Sequence, residues 1–210
     1  MRLPRSIFAG LFSLALLAPD AASAGILKDG PSASETFKTR HEAVIKLVKE
    51  RADAAKIQTE VDNLLDYHAL AETSLGGPLR FQNRCAPRCD EFEALLTKLI
   101  RENYLKRIRT DKEYELAYGD ETRGPRHTRV STTIKHTKDG KEELVEVVYV
   151  MHRADENKEW KVEDIITEGV SLAKNYKYEF NKILKENGDK GIDELILRLE
   201  RKLAELAKKD

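Results

Sequence analysis

Charge of one sign is missing: 37 Lys and Arg balance 37 Asp and Glu over 210 residues, a formal net charge of zero. Bulk nucleic-acid binding needs a marked basic excess, so that function is not expected. Long apolar runs are also scarce. Only residues 7–18 form one, and nothing downstream approaches the ~20 residues that cross a bilayer. Cysteine is limited to Cys85 and Cys89. The sequence has no G-x-S-x-G, no P-loop, no H-E-x-x-H and no Cys pair of metal type, which removes the common hydrolase, nucleotide and zinc signatures. No catalytic residue, metal site or cofactor is expected.

The early apolar run has the flanks of an export signal. Arg2 and Arg5 precede it and Ala22-Ser23-Ala24 follows as a cleavage site. Removing residues 1–24 leaves 186, with 35 cationic side chains against 36 anionic ones. A soluble periplasmic or secreted chain is expected, without a lipidated N-terminus because the first Cys is Cys85. In an oxidising compartment Cys85 and Cys89 suit a small local disulfide. Two free thiols or a redox pair remain open from spacing alone.

Residues 25–33 read as a flexible lead-in containing Gly, Pro and Ser. Ser32-x-x-Glu35 fits a capping box, and Phe37, His41, Val44 and Val48 then share one helical face. A second helical stretch carries Ile57, Val61, Leu64, Leu65 and Leu70, stopping at Leu75-Gly76-Gly77-Pro78. A loop holding both Cys follows. Asp90-x-x-Glu93 opens a third helix with Phe92, Leu95, Leu96, Leu99 and Ile100 as its stripe.

Near Thr110 the period changes from 3.6 to 2. Tyr114, Leu116 and Tyr118 alternate, residues 119–128 read as a turn, and Val130, Thr132 and Ile134 alternate again. Asp139-Gly140 marks a hairpin. Residues 144–151, apolar on both faces, suit a central strand, and Trp160, Val162 and Ile165 form a fourth. Two amphipathic helices close the chain: Leu172, Ala173, Tyr176, Phe180, Ile183 and Leu184 line the first, and Ile192, Leu195, Ile196, Leu199, Leu203 and Leu206 the second. The order gives an α+β class with a four-stranded antiparallel meander. One domain is expected over 34–210, with helices over 34–109, the sheet over 112–166 and closing helices over 169–208.

Polar candidates are few. The five His are scattered, although His136 and His152 fall on neighbouring strands. Asp62 and Asp66 share a helical face and could form an acid/base pair, but most carboxylates sit at i, i+4 from a Lys or Arg, as on solvated helix faces. The strands instead offer Tyr114, Tyr118, Val130, Thr132, Ile134, Val147, Tyr149, Trp160 and Val162. These either fill a core or wall an apolar ligand cleft; periodicity does not separate the two.

One segment carries more. Trp160-Lys-Val162-Glu-Asp164, Glu168-Gly169-Val170-Ser171-Leu172, Asn175-Tyr176 and Phe180 follow a W-x-V-x-D, E-G-V-S-L, N-Y, F order. With the strand at 145–151, Val61-Asp62, Asp66, Ser74-Leu75-Gly76, the helix from Phe92 to Tyr104 and the tail at 188–202, it resembles the MlaC family, also called the toluene-tolerance family. The likeness spans roughly residues 35–203. Family members often carry a Trp shortly after the L-G, where this chain has Gly77-Pro78-Leu79-Arg80-Phe81 and the Cys loop.

The resemblance implies an NTF2-like curved sheet with a helical lobe over an apolar cleft that encloses the acyl chains of a glycerophospholipid. It implies a monomeric periplasmic shuttle of the Mla outer-membrane lipid-asymmetry system, between an outer-membrane lipoprotein complex and an inner-membrane MCE-domain ABC transporter, whose soluble substrate-binding component it would be. On that reading Val130, Ile134, Val147, Tyr149, Trp160 and Val162 contact the tails with Leu96, Leu99, Val170 and Tyr176. Arg129 or Lys135 stands near the phosphate. The alternatives are another apolar cargo, such as a hopanoid, or an NTF2-like enzyme with an acid/base pair in the same cleft.

Overall fold

The computed structural model describes residues 31–109, 114–138, 140–153 and 159–208. The expected export segment, most of the lead-in, Asp139 and the turn at 154–158 lie outside these residues.

Helix α1 (Ala33–Lys49) starts at the capping box: Ser32 accepts from the Glu35 N–H, and the Glu35 carboxylate accepts from the Ser32 N–H. The stretch expected as one second helix is two, α2 (Ala54–Leu64) and α3 (Tyr67–Ser74). Leu65 is extended and bridges Val162, the Asp66 N–H donates to the Val162 carbonyl at 2.8 Å, and the Asp66 carboxylate caps α3 through the Ala69 N–H. An N-capping Asp that also joins a strand cannot sit inside a helix.

The Cys loop is also partly helical. Helix α4 (Pro78–Cys85) begins with Pro in the first turn, which needs no N–H there. Cys85 and Cys89 are joined by a disulfide across the junction to α5 (Cys89–Ile108). Asp90 lies in the first turn of α5, one residue inside its start.

The sheet has five strands in sequential antiparallel order, not four: β1 (Tyr114–Arg123), β2 (Thr128–Lys138), β3 (Lys141–His152), β4 (Lys161–Thr167) and β5 (Val170–Ser171). Strand β1 runs through the first half of the expected 119–128 turn, as far as Arg123, with a bulge between Tyr118 and Glu121 that resets its pairing with β2. A second bulge lies in β4 at Glu163, opposite the Val150–Met151 step of β3. It brings Val162 and Ile165, three residues apart, onto the same face, where strict alternation would separate them. β5 follows a two-residue turn in which Glu168 (φ 52°) and Gly169 (φ 78°) both take left-handed backbone, as the tight hairpin turns that suit strand twist require.

Helices α6 (Leu172–Asn187) and α7 (Gly191–Ala207) close the chain. A Cβ on Gly191 would stand 2.9 Å from the Leu184 Cα, so the absent side chain is what lets α7 approach α6 this closely. Phe81, Phe92, Phe180, Leu195 and Leu199 belong to the buried cluster of the helical layer. Among the described residues no helix is long and apolar enough to cross a membrane.

Candidate functional site: an apolar cavity beneath the sheet

The register stacks the inward side chains into rows. Leu116, Ile134 and Val145 form one, Tyr118, Thr132, Val147 and Thr167 the next, and Val130, Tyr149 and Ile165 a third. Beyond the third row, Met151 and Val162 are fully enclosed in one cluster with Leu65, Leu96 and Leu99. Toward the other end the packing opens into a cavity of about 650 Å³. Leu116, Ile134, Val145, Val147, Tyr149 and Ile165 are its sheet wall. The opposite wall is one face of α5, where Ile100, Asn103, Tyr104, Arg107 and Ile108 recur at helical spacing. Val170, Leu172, Asn175 and Tyr176 add the third side.

The floor is aromatic. Phe37 meets Tyr149 with ring centroids 4.1 Å apart and stacks on His41 at 4.9 Å. His41 Nδ1 lies 3.2 Å from the Tyr118 hydroxyl. Burial lowers the His41 pKa to about 4 and raises those of Tyr104 and Tyr149, so these groups are neutral at pH 7. No Asp or Glu among the described residues lines the cavity. At its rim, Val170 is 62% exposed and the Arg107 guanidinium donates to Thr167 Oγ1 at 3.3 Å.

The rim is held from below by Asp164. Its carboxylate accepts from the Ser171 hydroxyl at 2.5 Å, the Ala173 N–H at 2.9 Å and the Ile165 N–H at 2.9 Å. Ser171 in turn caps α6 through the Lys174 N–H. Thus the D, E-G, S and N-Y of the sequence motif build one corner: anchor, tight turn, cap and cavity wall.

Five of the ten expected tail-contact residues meet in the cavity: Ile134, Val147, Tyr149, Val170 and Tyr176. Val130, Val162, Leu96 and Leu99 lie in the packed end of the same layer. Trp160 precedes β4, donates from Nε1 to the Pro31 carbonyl at 3.2 Å, and lies against the Arg153 guanidinium. Arg129 and Lys135 occupy odd positions of β2, which point away from the cavity. Arg129 is exposed, and Lys135 Nζ lies 2.9 Å from Glu142 and 3.8 Å from Glu115 on that outer face. Lys135 also borders a more polar groove of about 910 Å³, which shares Ile108, Tyr114 and His136 with the cavity.

Sequence reasoning did not assign His41, Tyr104 or Arg107 to the site. The signal for His41 was a titratable residue amid Phe37, Val44 and Val48 on one helical face. His136 and His152 are not neighbours: His136 pairs with Glu143 and His152 with Lys161, at opposite ends of β3. Asp62 is held by Arg101 through two 2.8 Å hydrogen bonds and by Tyr67, while Asp66 caps α3 and meets His152, so the two do not form an acid/base pair. None of residues 76–89, where the family Trp is missing, lines the cavity.

An antiparallel sheet and helices around a largely apolar cavity define an α+β protein that can enclose the hydrocarbon part of a small molecule. The family model for the MlaC protein matches residues 35–201, and the chain belongs to the MlaC family. Among solved structures it is similar to the phospholipid-binding protein from Ralstonia solanacearum, in complex with a phospholipid. The two are 22% identical, the match covers 84% of this chain and 99% of that one, and the TM-score is 0.68, a likeness of fold. No curated protein matches the sequence significantly.

Proposed function

We propose that this protein is a periplasmic phospholipid carrier that holds acyl chains in the cavity beneath the sheet. The observation that carries the reading is the cavity itself, hollow and apolar where the rest of the layer is solid. Family membership and the phospholipid-bound relative support the choice of cargo. Burying one CH₂ is worth ~0.8 kcal/mol, so exposing the roughly 30 of two acyl chains would cost about 24 kcal/mol. Tails therefore cross an aqueous compartment only inside such an enclosure.

The lining favours a carrier over an enzyme. A base held at a pKa of about 4, with no carboxylate beside it in the cavity, is poorly placed for proton transfer near neutral pH. We further propose that the chain is exported by residues 1–24, acts as a monomer, and exchanges lipid with an inner-membrane MCE-domain ABC transporter and an outer-membrane lipoprotein complex. Ile134, Val147, Tyr149, Val170 and Tyr176 are the proposed tail contacts.

Native mass spectrometry of protein purified from the periplasm tests this. A monomer carrying a glycerophospholipid in stoichiometric amount is expected. Protein that is lipid-free, or that carries a polycyclic lipid instead, refutes the cargo.

A further inference from the structure

Beside the cavity runs the groove of about 910 Å³, and the two share Ile108, Tyr114 and His136 as a common wall. Its charge is one-sided. Lys49, Arg51, Arg109 and Lys135 border it, with Glu115 the one carboxylate among the described residues of its lining. Glu115 and Glu142 already answer Lys135, at 3.8 and 2.9 Å. Lys49, Arg51 and Arg109 are exposed and make no ion pair among the described residues. The carbonyl ends of α1 and α5 stand beside these three cations and offset about one charge between them, so an excess of about two remains.

Arg51 adds a second observation. It follows the C-cap Glu50 of α1 with φ 52°, a left-handed backbone in which glycine or asparagine carries less strain. Its N–H donates to the Val48 carbonyl at 3.1 Å. That bond closes the helix without help from the side chain, so the helix end does not account for a guanidinium at this strained position. Ile108 divides the two spaces at the end of α5: Arg107 lines the cavity on one side and Arg109 the groove on the other. A phosphate leaving the cavity past Ile108 meets cations on both sides.

We propose that the groove at the ends of α1 and α5 is an anionic-headgroup site, which takes the phosphate of a lipid whose tails occupy the cavity. The inference rests on the carrier reading. A headgroup with a net negative charge, such as phosphatidylglycerol, is held by the cationic excess. Phosphatidylcholine brings an ammonium of its own, which the same excess repels.

Delipidated protein is offered one population of vesicles holding equal amounts of dioleoyl phosphatidylglycerol and dioleoyl phosphatidylcholine, so tails and surface potential are common to both. Lipid is extracted from the reisolated protein, and mass spectrometry against standards reads the ratio of the two. Enrichment of phosphatidylglycerol by about fivefold at low salt, shrinking as salt rises, is expected for exposed charges. Lys49→Gln combined with Arg109→Gln should bring the ratio close to one; the ratio is internal to each sample and does not depend on how much lipid loads. Lys185→Gln combined with Lys190→Gln removes two exposed cations that border neither space and should keep the full enrichment. Free glycerol 1-phosphate, with no tails to hold it in place, should leave the ratio unchanged. A preference that it erases would make the groove a site for soluble phosphate and overturn the headgroup assignment. Equal uptake by the unmodified protein, a preference that the groove variant keeps, or one that the control variant loses overturns the headgroup site and leaves the carrier reading standing. If neither lipid loads, the carrier reading fails, and the headgroup site fails with it.

Discussion

Val147→Glu tests whether the cavity holds hydrocarbon. Val147 sits in the middle row of β3, 5% exposed, with Thr132 and Thr167 beside it across the neighbouring strands. A glutamate there projects into the cavity. In the lipid-free protein its carboxylate has space that water can enter, so folding should be little disturbed. When tails enter, that charge must be desolvated against apolar side chains, and the penalty for a buried unpaired ion is several kcal/mol. A cost of about 3 kcal/mol lowers lipid affinity roughly a hundredfold. Protonating the glutamate removes the charge, so retention should partly recover as pH falls. Leu144→Glu, on the outer face of the same strand and already 61% exposed, is the control and should load normally. Lipid is quantified by extraction and mass spectrometry, and folding by circular dichroism and thermal melting. A Val147→Glu protein that melts normally and keeps full lipid would refute the assignment of tails to this cavity.

Three further outcomes are expected. Reducing the Cys85–Cys89 disulfide opens a short loop worth ~2 kcal/mol of chain entropy, so the melting temperature should drop by about 4–8 °C while loading is unchanged; lost loading would tie this loop to the site. Asp66 and His152, 2.9 Å apart, link α3 to β3, and their hydrogen bond lowers the Asp66 pKa and raises that of His152. The His152 contribution is complete below its ordinary value of 6.5 and is lost as pH rises through the raised value; the Asp66 contribution is complete above 3.8 and is lost as pH falls below it. His152→Gln should flatten the alkaline arm of melting temperature against pH, and an unchanged arm would discount the pair. Arg107→Glu, at the rim, should reduce retention of anionic phosphatidylglycerol about tenfold at low salt and less at high salt, since a charge-assisted contact is screened there. Equal retention at both salt concentrations would place the phosphate elsewhere.

The fold was legible wherever periodicity and local signals agreed. Ser32 with Glu35 announced α1, and alternation found the strands that carry the cavity wall. Bulges and tertiary caps were not legible. Glu121 and Glu163 look like ordinary strand positions, yet the register shifts beside them decide which side chains turn inward. Asp66 looked helical until its N–H met Val162. The site was half legible for a related reason. Val130 and Ile134 are both inward positions of β2, four residues apart, yet one is packed and the other lines the cavity. That contrast depends on how closely α1 and α5 approach along the strand, which no local pattern encodes. Arg107 was missed because a cation near a helix C-terminus already has a sufficient local explanation in the helix dipole.

The uneven packing also constrains how a carrier of this shape gives up its cargo. At one end of the sheet, Val130, Met151 and Val162 close the interior against Leu96 and Leu99, so tails cannot leave there without unpacking the core. On the proposed carrier reading, the hollow half, with Val170 and Arg107 at its rim, is where lipid would both enter and depart. The proposed donor and acceptor complexes would then need the same half of the molecule, and would engage it in turn. Nor can the cavity hold tails far more tightly than a bilayer does, because a partner shifts the balance only by its own preference for the lipid-free form. Binding of the outer-membrane and inner-membrane complexes should therefore be mutually exclusive. A stable ternary assembly, detected when both are mixed with the carrier, would contradict a single shared exit.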